Sequence, residues 1–174
     1  MKNILTLLLL LPMLTLGQVT PPQNRLQELG IKLPPASKPV ANFVNYVQSG
    51  NLVFLSGHAY CGPATPVDHG KLGRDLTTAQ GYEAARRVGL CLLATLQEAT
   101  GGDLNRVKRI VKVHGMVNST DSFTEQSKVI NGCSDLLVEV FGERGKHARA
   151  AVGMASLPNN LSVEIELVVE LSEE

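Results

Sequence analysis

The sequence has no tryptophan and few other aromatic residues, with four phenylalanines and three tyrosines among 174 residues. Proteins that bind single-stranded nucleic acid stack bases on aromatic side chains, so this composition argues against that class. Neither charge is in excess, because sixteen Lys and Arg residues balance sixteen Asp and Glu residues. A balanced chain has no strong field to attract nucleic acid or an acidic membrane. We therefore expect one soluble globular domain without a nucleic-acid partner.

Cysteine is also scarce, and the three cysteines are an odd number for an exported chain. Cys91 and Cys133 lie within apolar helical patterns, where a free cysteine packs as a small hydrophobic residue. Cys61 lies in a stretch rich in Gly and Pro and is expected to be exposed. The spacing therefore predicts no disulfide framework.

Candidate metal ligands occur close together in one loop, but they match no familiar zinc spacing, so we expect no metal there. These residues are His58, Cys61, Asp68 and His69. His58 is instead expected to line a cleft beside Gly57. His114 and His147 are expected to be structural histidines rather than catalysts.

The first 17 residues have the pattern of a signal peptide. Lys2 supplies a positive start, and an apolar stretch follows that is shorter than the about 20 residues needed to span a bilayer. We predict cleavage after Gly17, with export to the periplasm or the medium and no membrane contact afterwards; the alternative is an uncleaved amphipathic anchor. Residues 18–25 are then expected to be flexible and residues 26–174 to form the folded domain.

Hydrophobic periodicity divides the remaining chain into strands and helices. Extended patterns occupy residues 43–48, 51–57, 107–117, 148–155 and 162–171, and helical patterns occupy residues 77–100 and 124–141, after a short helix around Leu26. This order predicts one α+β domain with two helices packed on one face of a sheet. The long loop between the second strand and the first long helix, residues 58–76, is expected to be functional or mobile.

One arginine interrupts a strand of small residues, ARAAVGMA, at residues 148–155. The turn LPNN predicts that this strand pairs antiparallel with residues 162–171. The register that joins the two apolar faces would place Arg149 and Glu164 together on the other face, among alanine and glycine.

Small neighbours leave room beside Arg149 for another subunit or for a small anion. Arginine binds a planar carboxylate through two parallel hydrogen bonds. The alternative is a surface ion pair of little energetic value. If Gly153 faces Glu164, Arg149 lies about 13 Å away along the strand, so an acid and a carboxylate clamp would be easier to assemble across a subunit interface.

The stretch ARAAVGMASLPNNLSVEIE resembles the arginine strand, Leu-Pro turn and Val-Glu-Ile-Glu strand of the RidA (YjgF-type) family of enamine/imine deaminases. NLVFLSGH and GDLNRVKRIVKVHGMV are similar to its second and middle strands, and LQELGIKLPP resembles the lead-in of one branch. The resemblance implies a chorismate-mutase-like fold with a mixed sheet, and a homotrimer with ligand clefts between subunits. It also implies cofactor-free hydrolysis of 2-imino acids and their enamines to 2-oxo acids and ammonia.

The same resemblance implies site residues. Arg149 matches the carboxylate-binding arginine, and Glu164 matches the acid that positions water. The implied substrate-binding positions are Phe43, Ser56, Gly57, Asn131 and Ala151. Phe43 and Ala151 replace a tyrosine and a cysteine found in many members, which leaves the substrate range open.

A second function is consistent with the same residues. An exported, non-catalytic protein could bind small carboxylates through Arg149 without turning them over. Glu164 separates the two hypotheses, because hydrolysis needs an acid that positions water and simple binding does not.

Overall fold

The computed structural model describes residues 20–173, which form a five-stranded sheet and three α-helices. The helices are α1 (Pro22–Glu28), α2 (Thr78–Ala99) and α3 (Gln126–Phe141). The strands are β1 (Tyr46–Ser49), β2 (Leu52–His58), β3 (Val107–Asn118), β4 (Ala148–Met154) and β5 (Val163–Leu171). The element order is the one predicted from the sequence.

The structure describes the N-terminal region from residue 20 onward. The signal peptide assigned to residues 1–17 lies outside the described residues. Residues 22–25, assigned to a flexible segment, form the first turn of α1, which is held by the buried side chains of Pro22 and Leu26. Arg25 Nε also donates a hydrogen bond to the Glu139 carbonyl oxygen of α3 at 3.0 Å. None of the helices in residues 20–173 has both the length and the apolar character needed to cross a membrane.

The two long helices cover one face of the sheet. α2 begins with a capping box, in which the Thr77 hydroxyl accepts from the Gln80 N–H and the Gln80 side chain accepts from the Thr77 N–H. The predicted apolar row of β5 is confirmed and is buried beneath the helices. It consists of Val163, Ile165, Leu167, Val169 and Leu171.

The strand order is β1-β2-β5-β3-β4, and β3 and β4 run parallel while the other neighbours run antiparallel. The predicted pairing of residues 148–155 with residues 162–171 is therefore wrong. α3 connects β3 to β4, and a helical crossover of this kind joins parallel strands. The segment after β4 then passes the end of β3, where the Asn118 N–H donates to the Ser162 carbonyl at 2.9 Å.

A disulfide joins Cys61 to Cys91, with an S–S distance of 2.07 Å. The expectation of an exposed, unpaired Cys61 and a free Cys91 is wrong, whereas Cys133 is a buried free cysteine as expected. The bond ties loop 59–77 to α2. One turn earlier on α2, Arg87 Nε lies 3.0 Å from the buried carboxylate of Asp68 in the same loop. The loop predicted to be functional or mobile is thus attached to the helix at two points.

Replacing both Cys61 and Cys91 by serine is expected to lower the free energy of unfolding. For a sequence separation of 30 residues, the loss of the cross-link is expected to cost about 3–4 kcal/mol by the chain-entropy relation. Urea denaturation with and without a thiol reductant measures the effect. Reduced wild type should match the double variant, and equal stability of oxidised wild type and variant would contradict the stabilising role.

Candidate active site

Arg149 lies on the edge strand β4, and its side chain extends along the helix-covered side of the sheet. It pairs with Val113 of β3, which is buried in the core. Its Nη1 donates to Asn131 Oδ1 at 2.7 Å and to Ser134 Oγ at 3.0 Å, both on α3. Both Nη1 hydrogens are therefore in use.

The other edge of the Arg149 guanidinium is open. Nε and Nη2 make no hydrogen bond to the part of the chain that the structure describes, and the residue is exposed. These two parallel N–H groups form the fork that matches the two oxygens of a carboxylate. The protein thus holds one side of the guanidinium and leaves its carboxylate-binding side available.

Glu164 lies on β5 and points to the opposite side of the sheet. It pairs with Met116 of β3, and its neighbours Val163 and Ile165 are buried beneath the helices. Strand alternation therefore directs Glu164 to the uncovered side, which we call the open face. The open face also carries Val47, Phe54, Val152, Glu166 and Val168. Partial burial raises the pKa of Glu164, and the nearby charge of Glu166 adds to the effect.

The expectation that Arg149 and Glu164 share a face is wrong. β3 lies between their strands, which are therefore about 10 Å apart, and Glu164 is offset from Arg149 by three residues along β3. The sheet separates their side chains. The small residues beside Arg149 allow neighbouring segments to pack closely. Ala151 packs against the core, and a Cβ atom on Gly153 would lie 2.8 Å from Ser119 Oγ and 2.9 Å from Gln126 Nε2 of α3.

The structure places Gly57 beside Glu164. The register of β2 against β5 shifts between Leu55 and His58, and bulges of this kind often lie beside active sites. A Cβ atom on Gly57 would lie 2.1 Å from Glu164 Oε1. Glycine at this position therefore leaves the space that the carboxylate occupies.

Ser56 supports this arrangement rather than facing a ligand with a free hydroxyl. Its Oγ donates to the Val44 carbonyl at 2.7 Å, and its N–H donates to the Asn45 carbonyl at 2.9 Å. These bonds hold the segment that contains Phe43, whose side chain is 50% exposed. Phe43 and Ser56 thus belong with Gly57 and Glu164 in what we call the glutamate group.

The remaining predicted residues belong with Arg149 in what we call the arginine group. Asn131, predicted to bind substrate, accepts a hydrogen bond from the guanidinium. Ala151 follows Arg149 on the same face of β4, where it is partly buried. Ser134 was not predicted as a site residue, although its position three residues after Asn131 places both side chains on one face of α3.

The structure changes the prediction for His58 and shows the contacts of the other three candidate metal ligands. His58 does not line a cleft, because after the bulge it faces the helices, where its Nε2 lies 2.7 Å from Thr95 Oγ1. Burial lowers the pKa of His58. Cys61 and Asp68 are engaged in the disulfide and the ion pair with Arg87, and His69 lies 3.2 Å from the Tyr60 hydroxyl.

Replacing Gly57 by alanine is expected to lower kcat/KM by about 10- to 100-fold, because the added methyl group displaces the Glu164 carboxylate from its position. Stability should change little, since Gly57 is exposed. Steady-state kinetics and thermal melting of the same sample separate the two effects. Full activity in this variant would show that the observed carboxylate position is not used.

Known proteins match this chain over most of its length. Residues 23–171 match a family model described as "YjgF/chorismate_mutase-like, putative endoribonuclease". Protein TCP17 of Trypanosoma cruzi is 49% identical over 148 residues, which cover 84% of this chain and 92% of TCP17. A 2-iminobutanoate/2-iminopropanoate deaminase of Dermatophagoides farinae is 29% identical over 139 residues, which cover 80% of this chain and 93% of the deaminase.

A solved structure shows the same likeness in three dimensions. The crystal structure of Atu1372 from Agrobacterium tumefaciens, a protein with unknown function, has a TM-score of 0.80 and 44% sequence identity. The match covers 87% of this chain and 92% of that one. Since the family model spans nearly all of the described residues and the fold is the expected mixed sheet with helices on one face, the chain belongs to the YjgF/chorismate mutase-like, RidA-type family.

Proposed function

We propose that this protein hydrolyses reactive imines and enamines of 2-oxo acids, such as 2-iminopropanoate and 2-aminoacrylate, to the 2-oxo acid and ammonia. The observation that carries this proposal is the open Nε/Nη2 fork of Arg149, because every substrate of this class bears a carboxylate. The similarity to the deaminase of Dermatophagoides farinae supports the same reaction. The balanced net charge favours small carboxylates over RNA as substrates.

The active site is proposed to lie between copies of the chain in a homotrimer. One small substrate reaches both Arg149 and Glu164 only if neighbouring copies each supply one of them. The open face supports assembly, because Val47, Phe54 and Val152 are 56%, 45% and 39% exposed there. Apolar side chains in this arrangement are typical of surfaces that bind another protein.

The proposed mechanism uses these two groups in sequence. The Arg149 fork binds the substrate carboxylate and presents the imine carbon in one orientation. Glu164 of a neighbouring copy holds a water molecule and takes its proton as the oxygen attacks that carbon. Glu164 then returns that proton to the nitrogen, which gives an amino alcohol. The hydroxyl proton passes through Glu164 to the same nitrogen as the carbonyl forms, and the C–N bond breaks with loss of ammonia. The raised pKa of Glu164 suits proton transfer near neutral pH.

An exported carboxylate-binding protein is the alternative function. The Cys61–Cys91 disulfide supports the proposed export, because such bonds persist mainly in oxidising compartments. In this alternative Arg149 binds the ligand and Glu164 has no chemical role. The two functions therefore differ in whether turnover depends on Glu164.

Ammonia release from 2-aminoacrylate, generated from serine by a dehydratase, tests the proposal with the chain that begins at residue 18. We expect acceleration by the wild-type protein and a trimer in analytical ultracentrifugation. Binding of pyruvate without acceleration would favour the alternative function. A folded protein that neither accelerates the reaction nor binds pyruvate would contradict both.

A further inference from the structure

A chain of hydrogen bonds runs from the backbone turn before β4 to the guanidinium of Arg149. The Gly145 carbonyl oxygen lies 2.6 Å from His147 Nδ1. His147 Nε2 lies 3.0 Å from Ser134 Oγ, and Ser134 Oγ lies 3.0 Å from Arg149 Nη1. Gly145, His147 and Ser134 are thus linked to the guanidinium that is proposed to bind the substrate carboxylate.

The direction of each bond follows from the groups involved. A carbonyl oxygen only accepts, so His147 Nδ1 carries the hydrogen and donates to Gly145. The neutral ring then has an acceptor at Nε2, to which the Ser134 hydroxyl donates. Since arginine only donates, Ser134 Oγ accepts from Arg149 Nη1 through a lone pair. Burial lowers the pKa of His147. The hydrogen bond to Gly145 opposes this shift and the charge of Arg149 adds to it, and the net lowering favours the neutral ring.

This chain determines which part of the guanidinium remains available. Asn131 Oδ1 accepts one Nη1 hydrogen and Ser134 Oγ accepts the other. Asn131 and Ser134 accept from the guanidinium at two positions on α3 and so fix its plane. This lowers the side-chain entropy that an exposed arginine would otherwise lose on binding a ligand. The fixed plane leaves the Nε/Nη2 fork directed away from α3.

We propose that Ser134 and His147 are positioning residues that hold the Arg149 fork in the orientation that binds the substrate carboxylate. The proposal rests on the proposed function of the same site. His147 was expected to be a structural histidine, and Ser134 was not predicted as a site residue. Both would position Arg149. We call the Gly145–His147–Ser134–Arg149 chain the arginine relay.

The kinetic test compares Ser134→Ala with Ser134→Thr. The alanine variant is expected to raise KM for 2-iminobutanoate about tenfold with little change in kcat, because the fork binds ground state and transition state alike. The threonine variant keeps the hydroxyl and should stay within about twofold of wild type on the same reasoning. Ser127→Ala provides the matched control, because Ser127 is an exposed serine on the same helix.

Two measurements follow the relay without turnover. ¹⁵N NMR of the His147 ring should find the hydrogen on Nδ1 and a bare Nε2, with a change in the Nε2 signal in Ser134→Ala. The dissociation constant for 2-oxobutanoate should rise by the same factor as KM. Thermal melting separates these effects from a loss of folding, since a purely structural role would lower Tm without changing the dissociation constant of the folded protein.

The outcomes separate the relay from the proposed function. An active wild type with an equally active Ser134→Ala variant would overturn the relay and leave the deaminase intact. A hydrogen on Nε2 of His147 would also overturn it. A wild-type protein that neither turns over 2-iminobutanoate nor binds 2-oxobutanoate would instead contradict the proposed function. The positioning role of Ser134 and His147 would be contradicted with it.

Discussion

Replacing Arg149 by alanine is expected to lower kcat/KM for 2-iminopropanoate by about a thousandfold. The fork both binds the substrate carboxylate and orients the imine carbon, and loss of one partner of a hydrogen-bonded charge pair costs several kcal/mol. The fold should be unaffected, because the side chain is exposed and, within residues 20–173, its hydrogen bonds reach only Asn131 and Ser134 of α3. Steady-state kinetics beside thermal melting measures both expectations.

Two further variants sharpen this result. Arg149→Lys keeps the charge but loses the two parallel donors, so its activity should lie between those of wild type and the alanine variant. Arg74→Ala is the matched control, because Arg74 is an exposed arginine whose ion pair is with its neighbour Asp75. Activity of Arg149→Ala within tenfold of wild type would show that Arg149 is not the main carboxylate-binding group.

Replacing Glu164 by glutamine is expected to lower kcat by about a hundred- to ten-thousandfold while the binding of 2-oxobutanoate changes little. Glutamine keeps the size of the side chain but cannot accept a proton from the attacking water. A Glu164→Gln variant that binds the ligand but has lost turnover supports hydrolysis. Unchanged turnover would favour another base, and a wild type without turnover would favour the carboxylate-binding protein.

The pH dependence follows from the raised pKa of Glu164. The wild-type kcat/KM should fall as the pH drops through a value above that of an ordinary glutamate, because the protonated acid no longer accepts a proton. Burial is the main cause of the shift, and Glu166 is the second. Glu166→Gln should therefore move this limb to lower pH.

The same shift predicts the effect of Glu164→Gln on stability. A carboxyl whose pKa is raised in the folded state favours folding below its unfolded pKa, and this contribution is lost as the pH rises through the folded value. The neutral glutamine should therefore make the folded state more stable than wild type at neutral pH. The difference should shrink on acidification, which thermal melting as a function of pH can measure.

Local sequence patterns predicted the elements of the fold well. The capping box at Thr77 and the glycine pair after Thr100 bound α2, and both signals depend on neighbouring residues. The alternation of β5 gave the buried row correctly because one face is entirely apolar and the other carries glutamates. The burial of such a row can be predicted without knowing which strands pair with β5.

Strand pairing was less predictable, because both faces of β4 carry small or apolar residues. Alternation therefore did not distinguish the side that packs under α3 from the open face, and a turn at LPNN resembled a hairpin. The crossover through α3 was the better signal, since it favours parallel pairing of β3 and β4. The Cys61–Cys91 bond depends on how loop 59–77 returns to α2, which no local pattern specifies.

Arg149 and Glu164 are proposed to act on one substrate from two different copies of the chain, and this shared site is central to the proposed function. Mixing the inactive Arg149→Ala and Glu164→Ala proteins under conditions that exchange subunits tests it most directly. Random reassembly should restore about a quarter of the wild-type activity, because each mixed trimer then contains one cleft with both residues intact. Mixing Arg149→Ala with the double variant Arg149→Ala/Glu164→Ala is the control and should restore none. Verified mixed trimers without activity would contradict an active site shared between copies.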